Sequence, residues 1–339
     1  MNQFLVEVLQ QSDLMRQEIE YYRNGKGRKT IESICREYKS KKMDKIILTG
    51  MGSSVYATCT MKSFLTQHGI PALSYSSFEL SRYQFEQITP KTLVVAISQS
   101  GNSMEVVELI EKAKEVTTVV GIYNTEGSKV NIISDISMPI LSGKELSITS
   151  KTYQGTMLIL NILGRALTNS LDEEFWNEVD QLLVWSDNWI ANWKKPSTEM
   201  WNFAQGVVLF DLLANNTSLA TARQLSLAYR EGLHNCSAVW EHADFAHGQY
   251  HSSKMQRRYL AQMFFPVFEE DTKEMKMFNF ILDHGGKVIL YTHSDVPARE
   301  NVYVVKTPDI CDTLVPLAES LAAETFLGML FGSDWVKDH

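Results

Sequence analysis

Two short turns constrain this chain more than any other feature. Each follows an apolar run and is built from glycine and small hydroxyl side chains. The stretch 44–49, DKIILT, leads into Gly50-Met51-Gly52-Ser53-Ser54, and 91–97, KTLVVAI, leads into Ser98-Gln99-Ser100-Gly101-Asn102-Ser103. Apolar runs bounded this way read as buried strands, and helical patterns follow over 55–69 and from Met104. Strand, small-residue turn and helix, twice in succession, predict a parallel sheet with helices on both faces. Both turns then lie at the carboxyl edge of the sheet, where ligands bind.

Further strands are expected at 117–124 and 136–141, and a long helical stretch at 152–195 carries Trp176, Trp185, Trp189 and Trp193 ahead of Pro196. The pattern then restarts, with strands at 206–210, 259–268, 286–292 and 301–306, a helix over SLATARQLSLAYREGLHNC, and an apolar helix from Leu314. At 339 residues the chain is about twice a typical domain. The fold class is therefore α/β with two tandem domains of similar plan, an internal duplication whose second half lacks the serine-rich turns. The expected boundaries are an N-terminal helical segment at 1–42, a first domain at 43–195 and a second at 196–339. The cluster Lys39, Ser40, Lys41, Lys42 reads as the solvated end of a helix, where cations suit the dipole.

Charge excludes some functions. Forty acidic residues against 32 basic ones give a net charge of −8 with no basic block, so nucleic acid is not an expected partner. Any anionic ligand must be held by a local device. Cys35, Cys59, Cys236 and Cys311 are scattered without CxxC spacing, which predicts reduced thiols and a cytoplasmic protein. The first residues read as an amphipathic helix, not a signal peptide, and no run reaches the ~20 apolar residues of a membrane span.

Backbone N–H groups at a helix N-terminus, joined by serine hydroxyls, make a neutral cradle for a phosphate. Neither turn ends in the Gly-Lys-Ser/Thr of a P-loop, and neither fits GxGxxG with an acidic ribose contact, so a nucleotide is disfavoured. One such turn is explained by helix capping alone; two in consecutive units favour a ligand.

The series GMGSS, AISQSGNS and GKELSITSKT (143–152) resembles the sugar isomerase (SIS) domain of phosphosugar-binding proteins. It is similar to the isomerase half of glucosamine-6-phosphate synthase and to the fructoselysine-6-phosphate deglycases. The resemblance spans roughly 25–335 as two tandem domains and is strongest in the first. It implies that Ser53, Ser54, Ser98, Gln99, Ser100 and Ser103 surround a sugar phosphate. The third motif reads Thr149-Ser150-Lys151 where the family has Ser-Thr-Lys, so Thr149 and Ser150 keep both hydroxyls in swapped order.

The stretch 230–253 packs Glu231, His234, Glu241, His242, Asp244, His247 and His251 together. Proton transfer between adjacent sugar carbons needs such groups. His247 and His251 have the i,i+4 spacing of a metal pair, but HExxH is absent and Gly248 works against a continuous helix, so no metal is expected. His234, His242 and His251 read as surface or capping residues. The resemblance singles out Glu231 and His247, because family members carry a helical Glu followed 16 residues later by a His in a (D/E)-F-x-H-G-P context, and 231 to 247 matches. Gln249 stands where Pro is usual. The resemblance implies Glu231 as the general base and acid, and His247 as the group that opens the ring or moves protons at the oxygens. In related proteins that His comes from the neighbouring subunit, which implies a homodimer or higher oligomer with shared sites.

The synthases have a Lys three residues before the matching Glu, where this chain has Ala228. They also have a longer tail with an active-site Lys, where this chain reads Asp334-Trp335-Val336-Lys337-Asp338-His339, and a glutamine-hydrolysing domain. The deglycases lack the first Lys too. The expected function is thus a cofactor-free deglycase of 6-phosphorylated Amadori compounds. An aldose–ketose phosphate isomerase and a non-catalytic phosphosugar sensor are the alternatives.

Overall fold

The structure is a computed structural model that describes residues 1–269 and 272–331. The chain forms two compact units, Gln10–Val179, and Met1–Leu9 together with the chain from Asp180. Helix α1 (Gln3–Val8) belongs to the second unit. There Asn2 Nδ2 donates to Gly328 O (2.9 Å), and the Phe4 ring meets that of Phe331 edge-on at 5.0 Å.

In the first unit, α2 (Gln11–Ile19) and α3 (Lys26–Ser40) flank a π-helical turn at Glu20–Asn24. They precede β1 (Lys45–Gly50), α4 (Ser53–Gln67), β2 (Ala72–Ser76), α5 (Ser77–Tyr83), β3 (Thr92–Ser98), α6 (Met104–Ala113), β4 (Val119–Tyr123), α7 (Lys129–Ile133), β5 (Ile136–Pro139) and α8 (Lys151–Leu167). All five strands are parallel, in the order β2-β1-β3-β4-β5. Central strands β3 and β4 are buried along their whole length, as parallel strands covered on both faces must be. Ile47, Val94, Ala96, Val106, Ile110 and Val119 belong to the core of this unit.

The long helical stretch resolves into α8, α9 (Glu173–Asn192) and α10 (Lys194–Phe203). Pro196 sits in the first turn of α10, where a missing N–H forfeits no intrahelical bond. Trp185 and Trp189 stack at 5.4 Å, their indoles donating to Lys306 O (3.1 Å) and Thr325 Oγ1 (3.2 Å).

The second unit continues with β6 (Leu209–Ala214), α11 (Leu219–Leu233), β7 (Ala238–Trp240), α12 (His242–Phe245), β8 (Tyr259–Phe264), α13 (Lys273–Asp283), β9 (Lys287–Thr292), β10 (Val302–Lys306) and α14 (Val315–Leu330). Its parallel sheet runs β7-β6-β8-β9-β10. Numbered from its own first strand this is the same 2-1-3-4-5 order, so the topology is duplicated. The strand expected at 206–210 is instead Leu209–Ala214. Apolar patterning stops at Asp211, but Asp211 is buried within β6 and accepts hydrogen bonds from Tyr259 Oη (2.9 Å) and Trp240 Nε1 (3.2 Å). Among the described residues no helix is long and apolar enough to cross a membrane.

Candidate active site

The order 2-1-3-4-5 places a switch point between β1 and β3, because the chain leaves β1 for one side of the sheet and later returns to the other. Both serine-rich turns open onto that crevice. Gly52 (φ 52°, ψ −125°) turns the chain from β1 into α4, whose first residues are Ser53 and Ser54, both half-buried. Past β3, the buried Ser98 hydroxyl is hydrogen-bonded to Ser103 Oγ (3.0 Å) and accepts from Gly101 N–H (3.1 Å). Ser103 is the N-cap of α6, Gln99 is half-buried, and Ser100 is exposed with its Oγ accepting from Asn102 N–H (3.2 Å). Gly101 is required twice over. Its φ is +67°, and a Cβ there would lie 1.9 Å from Ser128 Oγ. No side chain caps α4 or α6, so the positive ends of these helix dipoles carry no compensating side chain from the N-cap residue.

The third loop differs. Ser150 is the buried N-cap of α8, and Thr149 beside it is half-buried. Glu145 caps this helix, accepting from Ser150 N–H (2.9 Å), Thr152 N–H (3.2 Å) and Thr152 Oγ1. A carboxylate thus already compensates the α8 dipole, and the Ser150 hydroxyl is buried with no partner among the described residues. Lys151 is buried and donates to Gln10 Oε1 (3.2 Å).

The second unit has an equivalent turn, closed from within. Asn215-Asn216-Thr217-Ser218 follows β6, and Asn216 has φ 51°, close to the 52° of Gly52. Its hydroxyls are taken: Thr217 Oγ1 donates to Asp312 O (2.7 Å) and Ser218 Oγ to Glu319 Oε1 (2.9 Å), while Thr221 Oγ1 reaches Glu319 Oε2 (3.0 Å). The carboxyl of Glu319, on α14, therefore stands at the start of α11, where an anion would lie. Complete burial, partly offset by the Ser218 and Thr221 hydroxyls, pushes its pKa up to about 8.

Glu231 is exposed on the last turn of α11, and His247 is exposed on the turn after α12. Helix α11 runs back from the carboxyl end of β6, so Glu231 lies at the amino edge of the second sheet; near it Ser226 Oγ donates to Ser237 O (3.1 Å), just before β7 begins. His247 follows β7 in the chain, on the turn between α12 and the 3₁₀ segment from Gln249. Gly248, at φ 124°, separates His247 from the 3₁₀ segment carrying His251, so the two imidazoles do not share a helix face. His251 stacks on Tyr250 at 4.4 Å, and His234 is the left-handed C-cap of α11. His242 Nδ1 is 2.8 Å from Asn215 Oδ1, and its Nε2 is 3.4 Å from Glu274 Oε1. The tail 334–339 lies outside the described residues.

Sequence reasoning missed Glu145 and Glu319. Glu145 carries a weak signal, an acid a few residues ahead of a helix start; Glu319 carries none, because its partners are about 100 residues away.

With this geometry in hand, comparison with known proteins is specific. Residues 39–163 match the SIS domain family. Glutamine–fructose-6-phosphate aminotransferase (isomerizing) of Pyrococcus horikoshii is 35% identical over 130 residues, covering 37% of this chain and 22% of that protein. The enzyme of that name from Methanocaldococcus jannaschii is 22% identical over 298 residues, 82% of this chain and 25% of its own. The matched segments thus span about a quarter of these relatives' length. The C-terminal domain of glucosamine-fructose-6-phosphate aminotransferase from Francisella tularensis superposes with a TM-score of 0.85 at 18% identity, over 99% of this chain and 97% of that one. That likeness establishes the tandem SIS fold.

Proposed function

We propose that the protein is a sugar-phosphate enzyme that removes the amine from 6-phosphorylated Amadori compounds. The observation that carries the reading is the pair of uncapped helix N-termini, α4 and α6, meeting at the β1/β3 switch point with Ser53, Ser54, Ser98, Ser100 and Ser103 around them. A phosphate there meets backbone N–H and hydroxyl donors, which suits an anion on a protein of net charge −8. Gln99, Thr149 and Ser150 extend the same edge toward the sugar hydroxyls. The closed turn at Glu319 favours one phosphate per chain.

The chemistry assigned to Glu231 is removal of a proton from C1 of the open-chain ketosamine, giving an enaminol. Return of the proton to C2 forms an imine at C1, and water cleaves it to glucose 6-phosphate and free amine. The substrate's own carbonyl and nitrogen hold the electrons, so the scheme calls on no cofactor or metal. His247 assists ring opening and proton movement at the oxygens. Phosphate binding energy serves to orient C1 and C2 for proton transfer. The proposal includes a homodimer with shared sites, in which His247 of one chain acts with Glu231 of the other.

The test is a glucose-6-phosphate-dehydrogenase-coupled assay on a panel of 6-phosphorylated fructose-amino acids. NADPH formation by wild type, lost in Glu231→Gln and His247→Ala, is expected. Silence across the panel, with glucose 6-phosphate and fructose 6-phosphate interconverted instead, overturns the deglycase in favour of an isomerase. Binding of fructose 6-phosphate without turnover of any kind leaves a sensor.

A further inference from the structure

The loop carrying Thr149 and Ser150 is anchored by residues that take no part in this chemistry. Asn124 follows β4 directly. Its backbone N–H donates to Gln99 O (3.1 Å), its Oδ1 accepts from Ser142 N–H (2.9 Å), and its Nδ2 donates to Gly143 O (2.6 Å). One residue thereby ties the Ser98–Ser103 turn to the 141–150 loop.

Ser142 is fully buried and continues the chain of contacts. Its Oγ lies 3.1 Å from Glu18 Oε1 and 3.4 Å from Lys151 O, the first residue of α8. A hydroxyl has one proton and cannot donate to both. If Glu18 is a neutral acid, its O–H donates to Ser142 Oγ and the serine proton is free for Lys151 O. Burial of Glu18 on α2 pushes its pKa well above the usual carboxylate range, in agreement with that count.

Two backbone features show that the loop is held and not merely resting there. Leu141 (φ 63°) and Gly143 (φ 62°) flank Ser142 in left-handed conformations, which for leucine costs energy that surrounding contacts must offset. On α8, Gly155 leaves space for the acid: a Cβ there would lie 2.1 Å from Glu18 Oε1.

We propose that Glu18 and Asn124 are positioning residues for ligand binding, fixing through Ser142 the placement of Thr149 and Ser150 relative to the Ser98–Ser103 turn. The inference rests on the sugar-phosphate reading of the β1/β3 crevice. Neither residue needs to touch the ligand. Both act on the loop that does, so their loss weakens binding while leaving the groups assigned to proton transfer unchanged.

The test is calorimetric titration of fructose 6-phosphate into wild type, Glu18→Gln, Glu18→Leu and Asn124→Ala, each shown to be folded by circular dichroism at the titration temperature. Glu18→Gln keeps a donor toward Ser142 and is expected to bind within about twofold of wild type; Glu18→Leu fills the space without a donor, and with Asn124→Ala should bind about tenfold more weakly. Should Glu18→Leu fail to fold, Ser142→Ala, which removes one oxygen, carries the same expectation. On the substrate that wild type turns over, the loss should appear in KM more than in kcat. Wild-type affinity in the folded Leu and Ala variants overturns the inference, as does a Gln variant as weak as the Leu variant. Failure of wild type to bind the sugar phosphate overturns the site reading, and this inference with it.

Discussion

Glu231 and His247 flank β7 in the chain, Glu231 on the last turn of α11 before it and His247 on the turn after α12 beyond it. They are 16 residues apart in sequence, and a strand and its turns separate them in space. The proposed homodimer with shared sites pairs Glu231 of one chain with His247 of the other. Mixing inactive Glu231→Gln with inactive His247→Ala under conditions that exchange subunits is expected to restore activity. In a dimer, random pairing gives half heterodimers with one intact site in two, or about a quarter of wild-type activity. A mixture as inactive as its components places both groups of a site on one chain.

Gly101 should tolerate no side chain. Alanine there would force a left-handed residue and drive a methyl into Ser128, whose Oγ and Cβ lie 1.9 and 2.4 Å from the Cβ position. The combined cost is about 2–4 kcal/mol, from conformation and overpacking together. Thermal unfolding of Gly101→Ala should show a Tm several degrees below wild type and weakened binding of fructose 6-phosphate. An unchanged Tm with unchanged affinity contradicts the turn geometry.

The acid that closes the second turn makes a pH prediction. Glu319 has its pKa raised from 4.5 to about 8 in the folded chain, chiefly by burial. The folded state therefore holds a proton that the unfolded state releases, and the stability this gives is complete below pH 4.5 and lost as the pH rises through about 8. Glu319→Gln removes this dependence. Melting curves should run close together below about pH 4.5, diverge progressively as the pH rises to about 8 and stay apart beyond it, with the variant the more stable at the high end. Parallel profiles across that range would show that Glu319 ionises without cost.

Much of the architecture was legible in the sequence because buried parallel strands write themselves as apolar runs. β3 is seven consecutive buried residues, Thr92–Ser98, and the glycine and serine after it mark its end. β2 and β7 left no such mark, since most of β2 and all of β7 are only half-buried at or near sheet edges. β6 was displaced by three residues because Asp211 interrupts its pattern, and only the structure supplies the Tyr259 and Trp240 groups that make a buried acid tolerable. The serine turns were legible for the same local reason as the strands. Glu18, Asn124, Glu145 and Glu319 act through partners brought close only by folding; Glu18 meets Ser142 across 124 positions.

The central claim is that Glu231 moves a proton between C1 and C2 of a phosphosugar. It is tested most directly by following a 6-phosphorylated fructose-amino acid in D₂O by NMR, with wild type and Glu231→Gln. Amine release with deuterium entering C2 of glucose 6-phosphate, both abolished in Glu231→Gln, is the predicted result. Amine release that continues undiminished in Glu231→Gln would contradict it.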